Sequence, residues 1–387
     1  MPKLIRITTV PLSLKLLLAG QMKFMKEAGW EVLMVSADGR EMQDVLRKEG
    51  VSHHIIPFTR KITPFKDLYC LWLLFRLFKK EKPDVIHSHT PKAGLLAMLA
   101  GKLAGVKVRI HTVAGMPYMV AEKSKKKLLI WMEKLTYKWA SEVWPNSHSL
   151  KEFMLKEQLL DASKIKIIGF GSSNGVDLEK FNRGALSENH LVAATMRIAP
   201  SENDYLILVV GRLVKDKGIE ELVEAFLASK VVKYGKLVLL GSFEQDLNPI
   251  ANDIVRKIQD HPRIVQIEWT DHVPHYLAMA DVLVHPSHRE GFPNVLLEAG
   301  AMQVPIICSD IIGNRDVVTH KKTGLVFPVK KVEVLKDALE FAFIKREYMQ
   351  GLADNLYKEI MEKYQRKNIH QLILENYERL LTVEKAT

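Results

Sequence analysis

Apolar residues in this chain come in short runs separated by amphipathic stretches. Seven runs in the first half have the length and composition of buried strands: residues 4–10 (LIRITTV), 31–36 (EVLMVS), 53–58 (HHIIPF), 84–89 (DVIHSH), 108–113 (VRIHTV), 142–146 (EVWPN) and 164–170 (KIKIIGF). The second half adds residues 205–211 (YLILVVG), 236–242 (KLVLLGS), 263–269 (RIVQIEW), 281–287 (DVLVHPS), 304–310 (VPIICSD) and 323–329 (TGLVFPV). Between them apolar positions recur every three to four residues, as in Ile219, Leu222, Val223 and Phe226, which is the period of a helix face. Strand–helix alternation predicts parallel sheets covered by helices on both faces, so the chain reads as α/β with a doubly wound domain in each half. Periodicity lapses from residue 169 to 201, where Gly171, Ser172, Ser173, Asn174 and Gly175 form a turn-rich loop. The expected domains are residues 1–180 and 181–367. Ligands of such sheets bind outside the carboxyl ends of the strands, so the expected active site is a cleft between the two halves.

Candidate chemistry concentrates at two strand ends of the second half. Residues 285–298 (HPSHREGFPNVLLE) follow a strand and carry two carboxylates, Glu290 and Glu298, around a glycine turn and the start of an apolar helix. Gly291 lets the backbone approach a ligand, and the amides opening a helix lack intrahelical partners and carry partial positive charge. The pair is spaced to reach different hydroxyls of one extended ligand, such as a sugar. The second feature is Gly211 at the end of residues 205–211, followed by Arg212 and Lys217, two cations suited to a diphosphate.

In this order and spacing the two features resemble the retaining sugar-nucleotide glycosyltransferases of family 4. The resemblance lies in residues 211–218 (GRLVKDKG), 285–299 (HPSHREGFPNVLLEA) and 172–181 (SSNGVDLEKF). Residues 87–105 (HSHTPKAGLLAMLAGKLAG) are similar to the subgroup that builds bacterial capsule, exopolysaccharide or O-antigen on lipid carriers. The resemblance implies a GT-B fold, two Rossmann-like domains facing across a cleft, with a carboxyl-terminal helix near residues 368–381 crossing back onto the first domain. It also implies roles. Arg212 and Lys217 would neutralise the donor diphosphate, Glu290 would lie near the transferred sugar, and Glu298 would bind the ribose. The backbone at Gly291, Phe292 and Asn294 would face sugar or diphosphate, and Thr270 to Val273 would hold the base. The implied donor is a UDP-sugar, or a GDP-sugar in its place, and the implied reaction is hexosyl or N-acetylhexosaminyl transfer without cofactor or metal. The acceptor would be a lipid-linked or growing saccharide.

Two places depart from the family pattern. No glycine precedes Gly20 in the loop after the first strand, and Ala114 stands where many members have a histidine beside the transferred sugar. His111, three residues earlier, and Gly115 are the nearest substitutes. On the acceptor side His87, His89 and Lys92 flank a strand-to-helix turn that could receive a phosphate. The chemistry does not demand a protein base, because in this family the donor phosphate is thought to deprotonate the acceptor on the same face.

Composition narrows the setting. At 387 residues and 47% hydrophobic content there is enough chain for two cores. Cys70 and Cys308 are the two cysteines, without metal-ligand spacing, which fits a reducing cytoplasm and small buried hydrophobes. The first residues read as a strand plus a loop rather than a signal peptide, since Lys15 interrupts the apolar run. No apolar run approaches the roughly 18 residues of a membrane span. The net charge of +11 favours acidic partners, and the absence of any nucleic-acid-binding motif leaves an anionic membrane surface. Residues 122–139 (EKSKKKLLIWMEKLTYKW) pattern as an interfacial helix, and residues 64–80 (PFKDLYCLWLLFRLFKK) pattern more nearly as a core helix with Leu71, Leu74 and Phe78 buried. The expected location is the inner face of the cytoplasmic membrane, held peripherally. Two other functions remain open, a sugar-nucleotide epimerase of the same fold and a non-catalytic binding protein.

Overall fold

The computed structural model describes residues 1–116, 118, 123–244 and 248–386. It divides into two compact units, Met1–Asn174 with Arg366–Thr387, and Gly175–Gln365. In the first unit β1 (Lys3–Ile7), β2 (Glu31–Ser36), β3 (Ser52–Ile55), β4 (Val85–Ser88), β5 (Val108–Val113) and β6 (Glu142–Pro145) form one parallel sheet in the order β3-β2-β1-β4-β5-β6. In the second, β7 (Tyr205–Val210), β8 (Gly235–Leu240), β9 (Ile264–Ile267), β10 (Val282–His285), β11 (Ile306–Ser309) and β12 (Leu325–Phe327) form another in the order β12-β11-β10-β7-β8-β9. Every residue of β7 and β8 is buried, as expected for strands covered on both faces. Strand order reverses beside β1 in one sheet and beside β7 in the other. The crevices between β1 and β4 and between β7 and β10 are therefore the topological switch points, where ligands bind in such folds.

The structure differs from the sequence pattern in one expected strand and one expected loop. Residues 164–170 make one bridge, Ile165 to Val143, and then leave the sheet. Gly169 and Gly171 both adopt positive φ there and turn the chain away. The loop expected after β1 is a helix, Pro11–Leu17, with proline in its first turn and Leu14 fully buried.

The last helix, Arg366–Ala386, packs on the first sheet through Ile369, Ile373, Leu374 and Tyr377. The Tyr377 ring stacks on Trp144 at 5.7 Å between centroids. Beneath it lies Arg6, a fully buried arginine on β1. Its guanidinium donates to Tyr377 Oη, Gln21 Oε1 and His87 Nδ1. Gln21 Nε2 in turn donates to Asn174 Oδ1 at 2.9 Å, which also bonds His370 Nε2 at 2.8 Å. This network ties β1, β4, the end of the first unit's main segment and the returning helix into one core, satisfying polar groups that would be costly to bury alone.

Candidate active site

The second unit's switch point is built from three loops that interlock. After β7 comes Gly211, then Arg212, whose half-exposed guanidinium pairs with Glu244 at 2.7 Å. Lys217 closes a one-turn helix, Lys215–Lys217, and Gly218 follows at φ 69°. A side chain at 218 would collide with the Pro286 carbonyl, so glycine there allows the loop after β7 to lie directly on the loop after β10. Two side-chain contacts reinforce that packing, the ion pair of Arg289 with Asp216 at 2.8 Å and the hydrogen bond between His288 Nε2 and Glu221 Oε1 at 2.8 Å.

Glu290 sits at the centre. One oxygen, Oε1, accepts from Lys217 Nζ and from Ser287 Oγ at 2.9 Å, and His285 Nε2 lies 3.2 Å away. Burial alone would raise this carboxyl's pKa, but the Lys217 ammonium and His285 outweigh it and hold the group well below the usual carboxylate range. His285 is shifted down by burial, so the imidazole is neutral at physiological pH, against the opposing pull of Glu290. The third loop follows β11. Ser309 Oγ donates to the Ser287 carbonyl, and Asn314 Nδ2 donates to the Ser309 carbonyl at 2.8 Å. Gly313, at φ 88°, lies against the Gly291 carbonyl, where a Cβ would come within 2.6 Å.

The helix Asn294–Ala301 starts immediately after this cluster. Pro293 is its N-cap in extended geometry and no side chain caps its first turn. The positive end of the helix thus opens beside Gly291. Phe292 is buried against Tyr364, at 5.5 Å between ring centroids, so its side chain anchors the loop. Glu298 is half-buried one turn into the helix. After β9, Thr270 Oγ1 accepts from the His272 amide at 3.2 Å, and buried Val273 opens the helix Val273–Met279. His272 stacks on His190 at 3.9 Å. Among the described residues no group of His, Cys, Asp or Glu is placed to hold a metal ion. Both cysteines are buried.

At the first unit's switch point, Thr9 and Thr90 hydroxyls meet at 2.7 Å across β1 and β4. The acceptor-side candidates are less open than their sequence positions suggested. The Lys92 ammonium is enclosed by Asp67 Oδ1 at 2.7 Å, Thr59 Oγ1 at 2.8 Å, Thr63 Oγ1 and the Lys61 carbonyl, so it braces the loop at residues 59–63 rather than presenting a free charge. His111 is 2% exposed, with Nδ1 bonded to Ser88 Oγ at 2.9 Å and its ring pressed on Gly94 of the helix Pro91–Ala104. Burial lowers its pKa to about 4. His87 and His89 are buried as well, their rings 4.2 Å apart, and His87 belongs to the Arg6 core. His89 Nε2 has no hydrogen-bond partner among the described residues. Ala114 and Gly115 are half-buried at the end of β5, with Gly115 at φ 145°.

Sequence reasoning passed over several members of the site. Ser287 was visible in the same HPSHREG run, three residues before Glu290. Asn314, Gly313 and Ser309 come from a loop with no motif of its own, and only the fold brings them to Ser287.

Paired parallel six-stranded sheets, each with its strand-end loops at a switch point, define the GT-B class of α/β proteins. The match to known families is specific. Residues 195–359 match the model described as glycosyl transferases group 1, and residues 18–171 match the glycosyl transferase 4-like domain. The chain belongs to this glycosyltransferase family. It is 32% identical over 363 residues to the capsular polysaccharide biosynthesis glycosyltransferase CapM of Staphylococcus aureus, covering 94% of this chain and 93% of that one. It is 28% identical over 318 residues to the UDP-Gal:alpha-D-GlcNAc-diphosphoundecaprenol alpha-1,3-galactosyltransferase of Escherichia coli, covering 80% and 79%. Among solved structures, Anabaena Alr3699/HepE in complex with UDP and glucose superposes with a TM-score of 0.82 at 15% identity, covering 98% of this chain and 100% of that one. The family match and the relatives identify a glycosyltransferase rather than an epimerase.

Proposed function

We propose that this enzyme moves a sugar, with retention of anomeric configuration, from a nucleoside diphosphate sugar to a hydroxyl of a lipid-linked or growing saccharide in cell-surface polysaccharide synthesis. The relatives support the substrate class. One is named for capsule synthesis, and another for a UDP-Gal donor and an acceptor carried on diphosphoundecaprenol. The observation that supports the donor assignment is that Lys217, paired with Glu290 of the loop that leads into the uncapped helix Asn294–Ala301, lies at the switch point of β7 and β10, with Arg212 following the end of β7. There the diphosphate is held by two cations and helix-end amides, and the charge that grows on it as the bond from the anomeric carbon to phosphate breaks is met by groups already in place. Glu290 holds Lys217 in position and faces the transferred sugar. Glu298 binds the ribose, the backbone at Thr270 and Val273 holds the base, and the backbone at Gly291, Phe292 and Asn294 faces the sugar and diphosphate. The acceptor oxygen bonds to the anomeric carbon on the face that phosphate leaves, and its proton passes to a departing phosphate oxygen. No histidine is required, which fits the burial of His111 and the alanine at Ala114.

The acceptor's lipid carrier places the reaction at an anionic membrane surface on the cytoplasmic side. On the helix Lys123–Trp139, Lys126, Lys127, Lys134 and Lys138 are exposed beside exposed Leu128 and Trp131. Glu122 and the side chains of Lys123 and Lys125 lie outside the described residues.

Arg212→Ala tests the assignment. The side chain is 47% exposed and its surface ion pair contributes little to folding, so the variant stays folded. Transfer should fall by about a hundredfold or more, since an electrostatic contact to the leaving group is lost. Turnover near that of the parent would remove the donor site from this crevice.

A further inference from the structure

The helix Pro64–Glu81 has two apolar faces, and only one of them is covered. Cys70, Leu74, Leu77 and Phe78 are buried, on a helix that packs against Pro91–Ala104. Phe65 is 93% exposed, and Leu68, Tyr69 and Trp72 are 65%, 52% and 48% exposed. Their spacing of three and four residues aligns them along one side of the helix. Ile62, in the loop just before, is exposed as well. A contiguous run of large apolar side chains facing water marks an interaction surface.

We infer that this face inserts into the headgroup–acyl boundary of an anionic bilayer, an inference that rests on the reading that the acceptor is membrane-borne. Charge selects this occupant. Arg60, Lys61, Lys66, Arg76, Lys79 and Lys80 are all exposed around the stripe. Of the two acids of the helix, Asp67 is held by Lys92 at 2.7 Å, and Glu81 by Lys3 at 2.8 Å with Lys80 3.8 Å away, which leaves Arg60, Lys61, Lys66, Arg76 and Lys79 beside the stripe. Arg76 lies over the Trp72 ring at 4.8 Å, and Tyr69 stacks beside Trp72 at 6.0 Å, an aromatic and cationic border of the kind that sits at a headgroup level. A helix with aromatic residues on one side and cations flanking them lies in the interface plane rather than spanning it, and among the described residues no helix is long and apolar enough to cross.

The enclosed Lys92 gives the face a link to the acceptor edge. Its ammonium joins Asp67, on the first turn of Pro64–Glu81, to the helix that leaves the carboxyl end of β4. A bilayer contact at Phe65 is thereby fixed beside the first unit's switch point, where a lipid-borne acceptor would enter.

The test uses the full chain and vesicles of phosphatidylcholine with or without phosphatidylglycerol. The parent should sediment with the anionic vesicles, and added salt should weaken that binding. A Phe65→Ser/Leu68→Ser/Trp72→Ser variant should lose about tenfold or more in partition while its thermal melting and its nucleotide release with a soluble saccharide acceptor stay unchanged. Brominated acyl chains should quench the fluorescence of the parent more than that of Trp72→Phe. Equal partition of the triple variant would overturn the inference, as would a shift in its self-association by sedimentation velocity with vesicle binding unchanged, which would assign the face to a second copy. Loss of transfer in Arg212→Ala bears on the donor site alone, and retained vesicle binding in that variant separates the two conclusions.

Discussion

Lys217 and Glu290 are 73 residues apart in sequence and form an ion pair at the junction of the loops after β7 and β10. The pair is what makes two distant motifs a single site. Its lysine comes from the one-turn helix Lys215–Lys217 and its carboxylate from the glycine turn that precedes the helix Asn294–Ala301. Ser287 and His285 complete the carboxylate's surroundings, so Glu290 holds one geometry and, through it, fixes the ammonium.

Removing that carboxylate gives the first expectation. Glu290→Gln leaves a mostly buried ammonium without its charge partner, and the fold should lose about 1–3 kcal/mol. Turnover should drop about a hundredfold, because Lys217 is no longer held toward the leaving diphosphate. The depressed acidity of Glu290 sets the pH window: its stabilisation is complete above the unfolded carboxyl value of about 4.3 and is lost as pH falls toward its lower folded value. Denaturant unfolding of parent and variant should therefore differ by a constant amount from about pH 8 to 5, with the gap narrowing only at more acid pH. A gap that closes near neutrality would assign the stabilisation to another group.

Acid sensitivity of the first unit is the second expectation. Burial keeps His87 and His89 well below the ordinary imidazole value, His111 at about 4 and His370 at about 3. Below about pH 6.5 the unfolded chain binds protons at these positions and the folded chain does not, so stability falls with pH, by up to about 1.4 kcal/mol per pH unit for each group. Two buried carboxyls oppose this: Glu133, which burial raises to about 7, and Glu49, which burial also raises, take up protons while folded. The histidines outnumber them, and melting temperature should drop between pH 7 and 5 with net proton uptake on unfolding. Flat melting across that range would mean these imidazoles are not buried in solution.

Much of the architecture could be read from the chain because its signals are local. Strands such as β7 and β8 are unbroken apolar runs bounded by glycine, and the residues proposed to hold the donor lie mostly within two short motifs. The Arg6 core was invisible for the opposite reason: residues 6, 21, 87, 174, 370 and 377 share no local pattern and meet only when the last helix returns. Lys92 looked like a phosphate ligand because it opens a helix, but nothing nearby in sequence reveals that Asp67 already holds it. Periodicity marks Leu71, Leu74 and Phe78 of the helix Pro64–Glu81 as its buried stripe, and Leu74 and Phe78 are buried with Leu71 half-buried, but it gives no place to the second apolar stripe. Packing against Pro91–Ala104 decided it, burying Leu74 and Phe78 and exposing Phe65 and Trp72.

The last expectation settles whether His111 takes part in the chemistry in place of the histidine that the family resemblance would put at Ala114. His111 lies against Gly94 so closely that an added methyl at residue 94 would overlap its ring. Gly94→Ala alone should cost about 1–3 kcal/mol through overpacking, and His111→Ala alone should cost a similar amount through the void it leaves. Combined, the two changes should be less harmful than their sum, because the new methyl occupies part of the vacated space, and a double-mutant cycle of unfolding free energies reads that coupling directly. Activity separates packing from catalysis. A ring held under a helix, hydrogen-bonded to Ser88 and neutral until about pH 4, has the surroundings of a packing residue rather than of an acid or base. His111→Ala should therefore keep turnover within about tenfold of the parent at temperatures where both are folded, rather than losing the hundredfold or more that accompanies removal of a positioned acid or base. A hundredfold loss with donor affinity intact would place His111 in the reaction and return the missing histidine to this enzyme by another route.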